Sequence, residues 1–228
     1  VSTAFLFPGQ GSQKVGMGRA LVDTYPESRA VFKEADAALG ESISMLCFNG
    51  PAGQLSLTEN TQPAILTVAV AAYRVLAERG LEGAFFAGHS LGEYAANVAA
   101  GTFAFADAVR IVRRRGRYMQ EAVPVGEGAM AALIGLEPDV AAAVANEAAG
   151  DGVCTAANDN APGQVVVSGD GAAVDRAIEI AQARGAKRAI ILPVSAPFHC
   201  ALMAPAAEVM AEALEAVNMS PLAVPLVA

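Results

Sequence analysis

The chain has 228 residues, of which 54% are hydrophobic and 17% are charged, and this composition excludes an intrinsically disordered protein. Its 15 lysine and arginine residues against 23 aspartate and glutamate residues give a net charge of -8, which argues against nucleic acid as a partner. The cysteines Cys47, Cys154 and Cys200 are odd in number and show no metal-binding spacing, so we expect a reducing cytoplasm and no metal. The longest uncharged segment, 189–207, is interrupted by prolines and is therefore not expected to cross a membrane.

The first half of the chain reads as alternating strands and helices, which is typical of an α/β domain. Thr61 resembles a helix N-cap, with Pro63 in the first turn that follows it. In chain order we predict a strand at 3–7, a glycine-rich loop at 9–18, helices at 17–24 and 27–39, a loop at 50–60, a helix at 61–79, a strand at 84–87, a helix after residue 90 and a helix at 107–121.

The second half predicts a separate small domain. Strands at 129–134, 153–157, 164–168 and 188–192 alternate with helices at 138–149 and 172–184, with a polar loop at 158–163. The order β-α-β-β-α-β is that of the ferredoxin-like motif. We therefore predict an insert at 125–194 within a larger α/β domain formed by 1–124 and 195–228. A helix is predicted at 204–217, and residues 221–228 predict the start of another strand. Either the protein is short or this sequence is truncated.

The segment Gly88-His89-Ser90-Leu91-Gly92 lies between the strand at 84–87 and an alanine-rich helix. In this context the G-x-S-x-G pattern is typical of a serine nucleophile on a strained strand-to-helix turn. The helix N-terminus also favours negative charge that develops next to the serine. The alternative is an ordinary N-capping serine, and the strand–turn–helix context favours the nucleophile.

A serine nucleophile needs a base, and the chain has two histidines, His89 and His199. His89 adjoins Ser90 in sequence, so its side chain is expected to point away from the hydroxyl. We therefore assign the base to His199, which follows the predicted insert, over the alternative of a hydrogen-bonded core histidine. No aspartate stands out as a third member, and a backbone carbonyl is an alternative orienting group.

Several motifs together resemble the malonyl-CoA:acyl carrier protein transacylases, the acyltransferases of fatty acid and polyketide synthesis. They cover the chain in order and comprise Phe7-Pro8-Gly9-Gln10-Gly11-Ser12-Gln13, Gly88-His89-Ser90-Leu91-Gly92, Arg115-Gly116, Asn158-Asp159-Asn160-Ala161-Pro162-Gly163-Gln164 and Pro197-Phe198-His199. The resemblance implies an α/β-hydrolase-like core with an inserted ferredoxin-like domain. Cys200 stands where the family commonly has serine, and this change is expected to have little effect.

The resemblance also implies residue roles and substrates. Ser90 carries the malonyl group of malonyl-CoA as an ester, and His199 acts as its base. Oxyanion-hole N–H groups come from Gln10 and Leu91, and Arg115 binds the malonyl carboxylate. The acceptor is the phosphopantetheine thiol of acyl carrier protein. No cofactor is implied, and the residue that orients the histidine is expected beyond the last residue of this sequence.

Other functions fit the sequence less well. The glycine-rich loop at 9–18 does not match either nucleotide-binding motif, because Lys14, Met17 and Gly18 occupy required positions. A serine esterase or thioesterase shares the nucleophile turn but gives no reason for Arg115. A binding module would not need Ser90 together with a histidine. We expect a monomer.

The arginines of the helix at 107–121 divide between two faces. A basic face, expected to be exposed and suited to an acidic carrier protein, comprises Arg110, Arg113, Arg114 and Arg117 at i, i+3, i+4 and i+7. A solvated helix face without a partner is the alternative. Arg115 lies on the other side, among apolar residues that face the core, where a guanidinium needs an anionic partner.

Overall fold

The computed structural model describes residues 2–228, and internal contacts divide the chain into two units. Unit 1 comprises Val1–Gly116 and Glu212–Ala228, and unit 2 comprises Arg117–Ala211. Both boundaries fall within helices rather than in loops.

Unit 1 contains a parallel sheet with the strand order β1-β2-β7. The strands are β1 (Ala4–Phe7), β2 (Phe85–Gly88) and β7 (Leu226–Val227). The helices that begin in unit 1 are α1 (Arg19–Thr24), α2 (Pro26–Leu39), α3 (Ile43–Asn49), α4 (Ala52–Ser56), α5 (Thr58–Glu78), α6 (Gly92–Ala99) and α7 (Phe105–Ala122). Phe7 pairs with Gly88 in the parallel register, so β1 and β2 end at the same edge. The loops that follow these two strands therefore lie side by side.

Helix α5 supplies much of the core of unit 1, and its buried side chains include Leu66 and Val70. Its start differs from the prediction, because the N–H groups of Asn60 and Thr61 both donate to the Leu57 carbonyl at 2.8 Å and begin the helix at Thr58. The Thr61 hydroxyl donates to a preceding carbonyl, so its prediction as N-cap is wrong. The predicted loop at 50–60 contains α4 and the first residues of α5, and α3 was not predicted. Within residues 2–228, neither α5 nor another helix combines the length and apolar character needed to span a bilayer.

Unit 2 contains an antiparallel sheet with the strand order β4-β5-β3-β6. Its elements are β3 (Gly128–Ile134), α8 (Pro138–Ala149), β4 (Cys154–Ala161), β5 (Gln164–Asp170), α9 (Gly171–Ala183), β6 (Arg188–Ile191), a 3₁₀ turn (Ala201–Met203) and the larger part of α10 (Ala204–Glu215). The predicted β-α-β-β-α-β succession is confirmed. Strand β4 is longer than predicted, because Asn158 and Asp159 pair with β5 and leave only a short turn around Gly163.

Apolar side chains cover both faces of the sheet in unit 2. Alternate residues of β3 point to opposite faces, so that Leu133 packs with α8 and α9 while Met130 packs with Met119 and Phe198. The apolar cluster around Met130 also contains Met119, which precedes residues 125–194, and Phe198, which follows them. Because these flanking residues pack on the same sheet, unit 2 extends beyond both ends of the predicted insert.

Candidate active site

The turn between β2 and α6 holds Ser90 in an unusual backbone conformation. Its φ of 52° lies in the left-handed region, which non-glycine residues rarely adopt. Backbone hydrogen bonds fix the turn: the Gly92 N–H donates to the His89 carbonyl at 2.9 Å, and the Glu93 N–H donates to the Ser90 carbonyl at 3.0 Å. The His89 N–H donates to the Phe7 carbonyl at 3.1 Å and joins the turn to the end of β1. Strain that surrounding structure maintains in this way is common at functional sites.

Close backbone contacts require glycine on both sides of Ser90. A Cβ atom on Gly88 would lie 2.2 Å from the Glu93 backbone nitrogen. A Cβ atom on Gly92 would lie 2.1 Å from the Phe7 carbonyl oxygen. The spacing of the motif therefore reflects how closely the end of β1, the end of β2 and the start of α6 approach one another.

The loop that follows β1 lies against the same turn. A Cβ atom on Gly9 would lie 2.5 Å from the His89 carbonyl oxygen and 2.8 Å from its Nδ1, which places Gln10 next to the turn. Leu91 is buried and is the N-cap of α6, so its N–H precedes the Gly92 donor at the start of the helix. The N–H groups at a helix start have no carbonyl within the helix to bind and favour negative charge.

Arg115 of α7 is partly buried and is bound by a neutral side chain. Its Nη1 donates to the Gln62 Oε1 at 2.8 Å, and its Cζ lies 5.7 Å from the centroid of the Tyr94 ring. Burial lowers the pKa of Arg115, while Tyr94 and Glu93 oppose this effect. Within the described part of the chain, no carboxylate forms a salt bridge with Arg115. The guanidinium is therefore a partly desolvated cation that is oriented by an amide, an arrangement suited to binding an anionic ligand.

The predicted four-arginine face of α7 does not form as one exposed surface. Arg113 is buried and donates hydrogen bonds to Asn60 and to the Glu41 carboxylate. Arg110 is exposed and pairs with Asp107 of its own helix at 2.9 Å. The prediction of a continuous exposed basic face for carrier docking is therefore wrong, because burial removes one of its central residues.

His199 of unit 2 has the same unusual backbone conformation as Ser90. Its φ is 59°, again in the left-handed region. The Cys200 thiol donates to the Pro197 carbonyl with an S···O distance of 3.2 Å, and Phe198 is buried. A Cβ atom on Gly128 would lie 2.3 Å from the Pro197 ring, so β3 packs tightly against this loop. The loop is thus fixed on both sides of the histidine.

The predicted site residues are divided between the two units: Gln10, Ser90, Leu91 and Arg115 belong to unit 1, and His199 belongs to unit 2. Sequence reasoning missed Thr58 and Gln62, which are buried in α5 near Arg115. The signal that could have identified them is their i, i+4 spacing, which places both polar side chains on the same face of the helix.

The cysteines differ in exposure. Burial raises the pKa of the Cys47 thiol to about 12 and that of the Cys154 thiol to about 11, whereas Cys200 is partly exposed. Across residues 2–228, no group of three or more His, Cys, Asp or Glu side chains is placed to hold a metal ion.

Comparison with known proteins places this geometry in a family. The family described as the acyl transferase domain matches residues 4–226. The chain therefore belongs to the acyl transferase domain family. It is 52% identical over 225 residues to the malonyl CoA-acyl carrier protein transacylase of Escherichia coli (strain K12), covering 98% of this chain and 73% of that protein. It is 49% identical over 225 residues to the protein of the same name from Bacillus subtilis (strain 168), covering 98% of this chain and 71% of that protein.

Solved structures agree with these sequence relationships. The malonyl CoA-acyl carrier protein transacylase of Coxiella burnetii matches with a TM-score of 0.96 and 46% identity, over 99% of this chain and 72% of that one. A malonyl-transacylase in complex with a type II PKS acyl-carrier protein matches with a TM-score of 0.97 and 44% identity, over 100% of this chain and 74% of that one. The chain is thus an acyltransferase with an α/β fold.

Proposed function

We propose that this chain transfers the malonyl group of malonyl-CoA to the phosphopantetheine thiol of an acyl carrier protein, through an ester on Ser90. The observation that carries the proposal is the left-handed backbone of Ser90, at a turn where Gly88 and Gly92 leave no space for a Cβ atom. The names of relatives that are about half identical support malonyl-CoA and the carrier protein as the two substrates.

In the first half-reaction, the Ser90 Oγ attacks the thioester carbonyl carbon while the His199 imidazole accepts the hydroxyl proton. The tetrahedral intermediate collapses, the carbon–sulfur bond breaks, and the proton passes to the sulfur of CoA. In the second half-reaction, the imidazole accepts the proton of the carrier thiol and the sulfur attacks the ester carbonyl carbon. The carbon–oxygen bond to Ser90 then breaks, and the proton returns to the Ser90 Oγ. Neither step changes an oxidation state, so the cycle calls for no redox cofactor.

The N–H groups of Gln10 and Leu91 form the proposed oxyanion hole. Support comes from the shared edge at which β1 and β2 end, which brings the Gln10 loop against the Ser90 turn. The position of Leu91 at the start of α6 gives its N–H a favourable electrostatic environment for an oxyanion.

Arg115 binds the malonyl carboxylate in this proposal. Its guanidinium is partly buried, has the neutral Gln62 amide as a hydrogen-bond partner, and can offer its other N–H groups to a carboxylate. Tyr94, which contacts Arg115, lies one turn after Ser90 at the start of α6, so the carboxylate site and the nucleophile are built on the same helix start.

The proposed architecture is an α/β-hydrolase-like core, formed by 1–124 and 195–228, with a ferredoxin-like insert at 125–194. The parallel sheet of unit 1 and the β4-β5-β3-β6 order in unit 2 support it. The monomeric state and the cytoplasmic location that the sequence suggested stay predictions.

The serine esterase or thioesterase alternative gives no role to Arg115, since neither reaction requires a carboxylate on the acyl group. The two activities also differ in their products. A transferase retains the malonyl group on serine until the carrier thiol arrives, whereas a hydrolase releases malonate to water.

The test is intact-protein mass spectrometry after mixing with malonyl-CoA, followed by addition of holo carrier protein. We expect a malonyl adduct on the wild type, its transfer to the carrier, and no adduct on Ser90→Ala with an unchanged circular dichroism spectrum. Ser220→Ala is the matched control, because Ser220 is exposed and lies outside the site. An adduct on Ser90→Ala would overturn the nucleophile, and free malonate without an adduct or transfer would favour the hydrolase.

A further inference from the structure

A continuous chain of side-chain hydrogen bonds runs from Arg115 to the loop after β1. The Arg115 Nη1 donates to the Gln62 Oε1 at 2.8 Å, and the Gln62 Nε2 donates to the Thr58 Oγ1 at 2.9 Å. The Thr58 hydroxyl then donates to the Gln10 Oε1 at 2.7 Å. Two buried residues of α5 therefore connect the carboxylate-binding cation to the residue whose N–H is proposed for the oxyanion hole.

The chemistry of these groups allows only one donor-to-acceptor direction along the chain of hydrogen bonds. A guanidinium can only donate, so the Gln62 amide must present its oxygen to Arg115 and its nitrogen to Thr58. Having accepted that bond, the Thr58 hydroxyl directs its single proton to the Gln10 amide oxygen. Reversing the Gln62 amide would place two donors against each other. The orientation of each group is thus set, step by step, by the charge of Arg115.

The surroundings hold this chain of hydrogen bonds in place. Thr58 and Gln62 have 1% and 0% of their surface exposed, so water does not replace a lost partner. Gly116 allows α7 to approach α5 closely, because a Cβ atom there would lie 2.4 Å from the Glu59 Cα and 2.7 Å from the Thr58 carbonyl oxygen. This contact sets Arg115 beside Gln62.

We propose that Thr58 and Gln62 are positioning residues that couple recognition of the donor's carboxylate to the placement of the Gln10 loop. The inference rests on the proposed malonyl transfer and deepens it. The proposal makes a particular prediction about Thr58, which is connected to the Arg115 guanidinium through Gln62 and not by a direct hydrogen bond. Loss of the Thr58 hydroxyl should nevertheless weaken the preference for malonyl over acetyl donors, because it releases the Gln62 amide that orients Arg115.

The experiment measures kcat/KM for malonyl-CoA and for acetyl-CoA in Thr58→Val, Thr58→Ser and Thr67→Val. The malonyl-to-acetyl ratio should fall about 3- to 10-fold in Thr58→Val, the range expected for the loss of a hydrogen bond between neutral groups. It should stay within about twofold in Thr58→Ser, which keeps the hydroxyl. Thr67→Val is the matched control, because Thr67 is a buried residue of the same helix whose hydroxyl donates within the helix, to the Pro63 carbonyl.

A second variant does not depend on how Thr58→Val folds. Gln62→Glu keeps the size of the side chain but places a carboxylate on Arg115, so it should compete with malonyl and lower malonyl kcat/KM about 10-fold or more, with acetyl transfer changed far less. In an Arg115→Ala background, Thr58→Val should leave the malonyl-to-acetyl ratio unchanged.

An unchanged ratio in folded Thr58→Val, or in Gln62→Glu where Thr58→Val does not fold, would overturn the coupling while malonyl transfer by the wild type still stands. A further fall of the ratio in the Arg115→Ala background would show that Thr58 acts independently of Arg115, and would also overturn it. Failure of the proposed function is distinct, because the wild type itself would then form no malonyl ester.

Discussion

Replacing Arg115 by alanine should separate recognition of the malonyl carboxylate from the chemistry at Ser90. The guanidinium is partly desolvated and oriented by Gln62, so it can bind the carboxylate through two parallel charge-assisted hydrogen bonds. Acetyl donors lack a carboxylate and do not use this contact. Arg115→Ala should therefore lower malonyl transfer and spare acetyl transfer.

The magnitude follows from the bonds that are lost. Two hydrogen bonds to a charged group are worth about 3–6 kcal/mol together, which corresponds to about a 10²- to 10⁴-fold loss in malonyl kcat/KM. The substitution also leaves the buried Gln62 oxygen without this donor, at a cost of about 1–3 kcal/mol in the free energy of unfolding. For a chain of this size, that cost lowers Tm by about 2–12 °C.

The assay follows transfer from malonyl-CoA and from acetyl-CoA to holo carrier protein by mass spectrometry, with Tm measured on the same samples. Arg115→Lys should restore little malonyl transfer, because an ammonium cannot reproduce the planar pair of donors. An equal loss of malonyl and acetyl transfer would refute the reasoning, and a fall in Tm of more than about 12 °C beside it would show that Arg115 serves the fold.

Further predictions concern the base, the turn and the buried thiol. His199→Ala should slow formation of the malonyl ester about 10²- to 10⁴-fold, whereas His89→Ala should act mainly through stability, and single-turnover mass spectrometry distinguishes the two. Gly92→Ala should abolish ester formation and lower Tm by about 2–12 °C, because its Cβ atom would lie 2.1 Å from the carbonyl oxygen of the last β1 residue. Gly53→Ala, at a site with no atom within 4 Å of the added Cβ, is the control. The pKa of Cys47 is raised from 9.0 to about 12, so the folded state holds this proton more tightly than the unfolded state, and stability should fall as pH rises from 9 to 12. Chemical denaturation across that range, compared between the wild type and Cys47→Ala, checks the slope.

Each of these predictions has a result that contradicts it. An inactive, folded His89→Ala beside an active His199→Ala would reverse the two histidine roles. Normal ester formation by Gly92→Ala would show that the turn tolerates a side chain. A pH slope that is the same with and without Cys47 would show that its thiol does not contribute.

Local sequence patterns predicted the strained turn at Ser90 and the element order of unit 2. Both depend on residues close together in the chain. The turn is marked by glycines two positions before and after Ser90, and the β-α-β-β-α-β order is marked by segments whose apolar spacing is typical of a strand or of a helix in turn. The start of α5 was missed because Pro63 suggested a first turn, whereas the helix begins at Thr58 and includes the proline.

Side-chain contacts between distant segments could not be predicted in this way. Gln10 and Thr58 are 48 positions apart, and Gln62 and Arg115 are 53 positions apart, so no local period relates them. Arg113 was expected on an exposed face, but it packs against Asn60, a contact across 53 positions that buries it. The approach of α7 to α5 brings the two arginines to Asn60 and Gln62, and the loop after β1 brings Gln10 to Thr58.

Backbone strain points to the candidate site by a signal that is independent of side-chain chemistry. Among residues 2–228, the non-glycine residues with positive φ are Ser90 and His199, the two residues that were selected from the sequence as nucleophile and base. Nothing in the selection of His199 used its backbone, so the agreement adds separate support. Each such residue costs about 1–3 kcal/mol and persists only where the surroundings fix it. At Ser90 the tight approach of Gly88 and Gly92 to neighbouring backbone supplies this constraint, which is why the motif is defined by its glycines as much as by its serine.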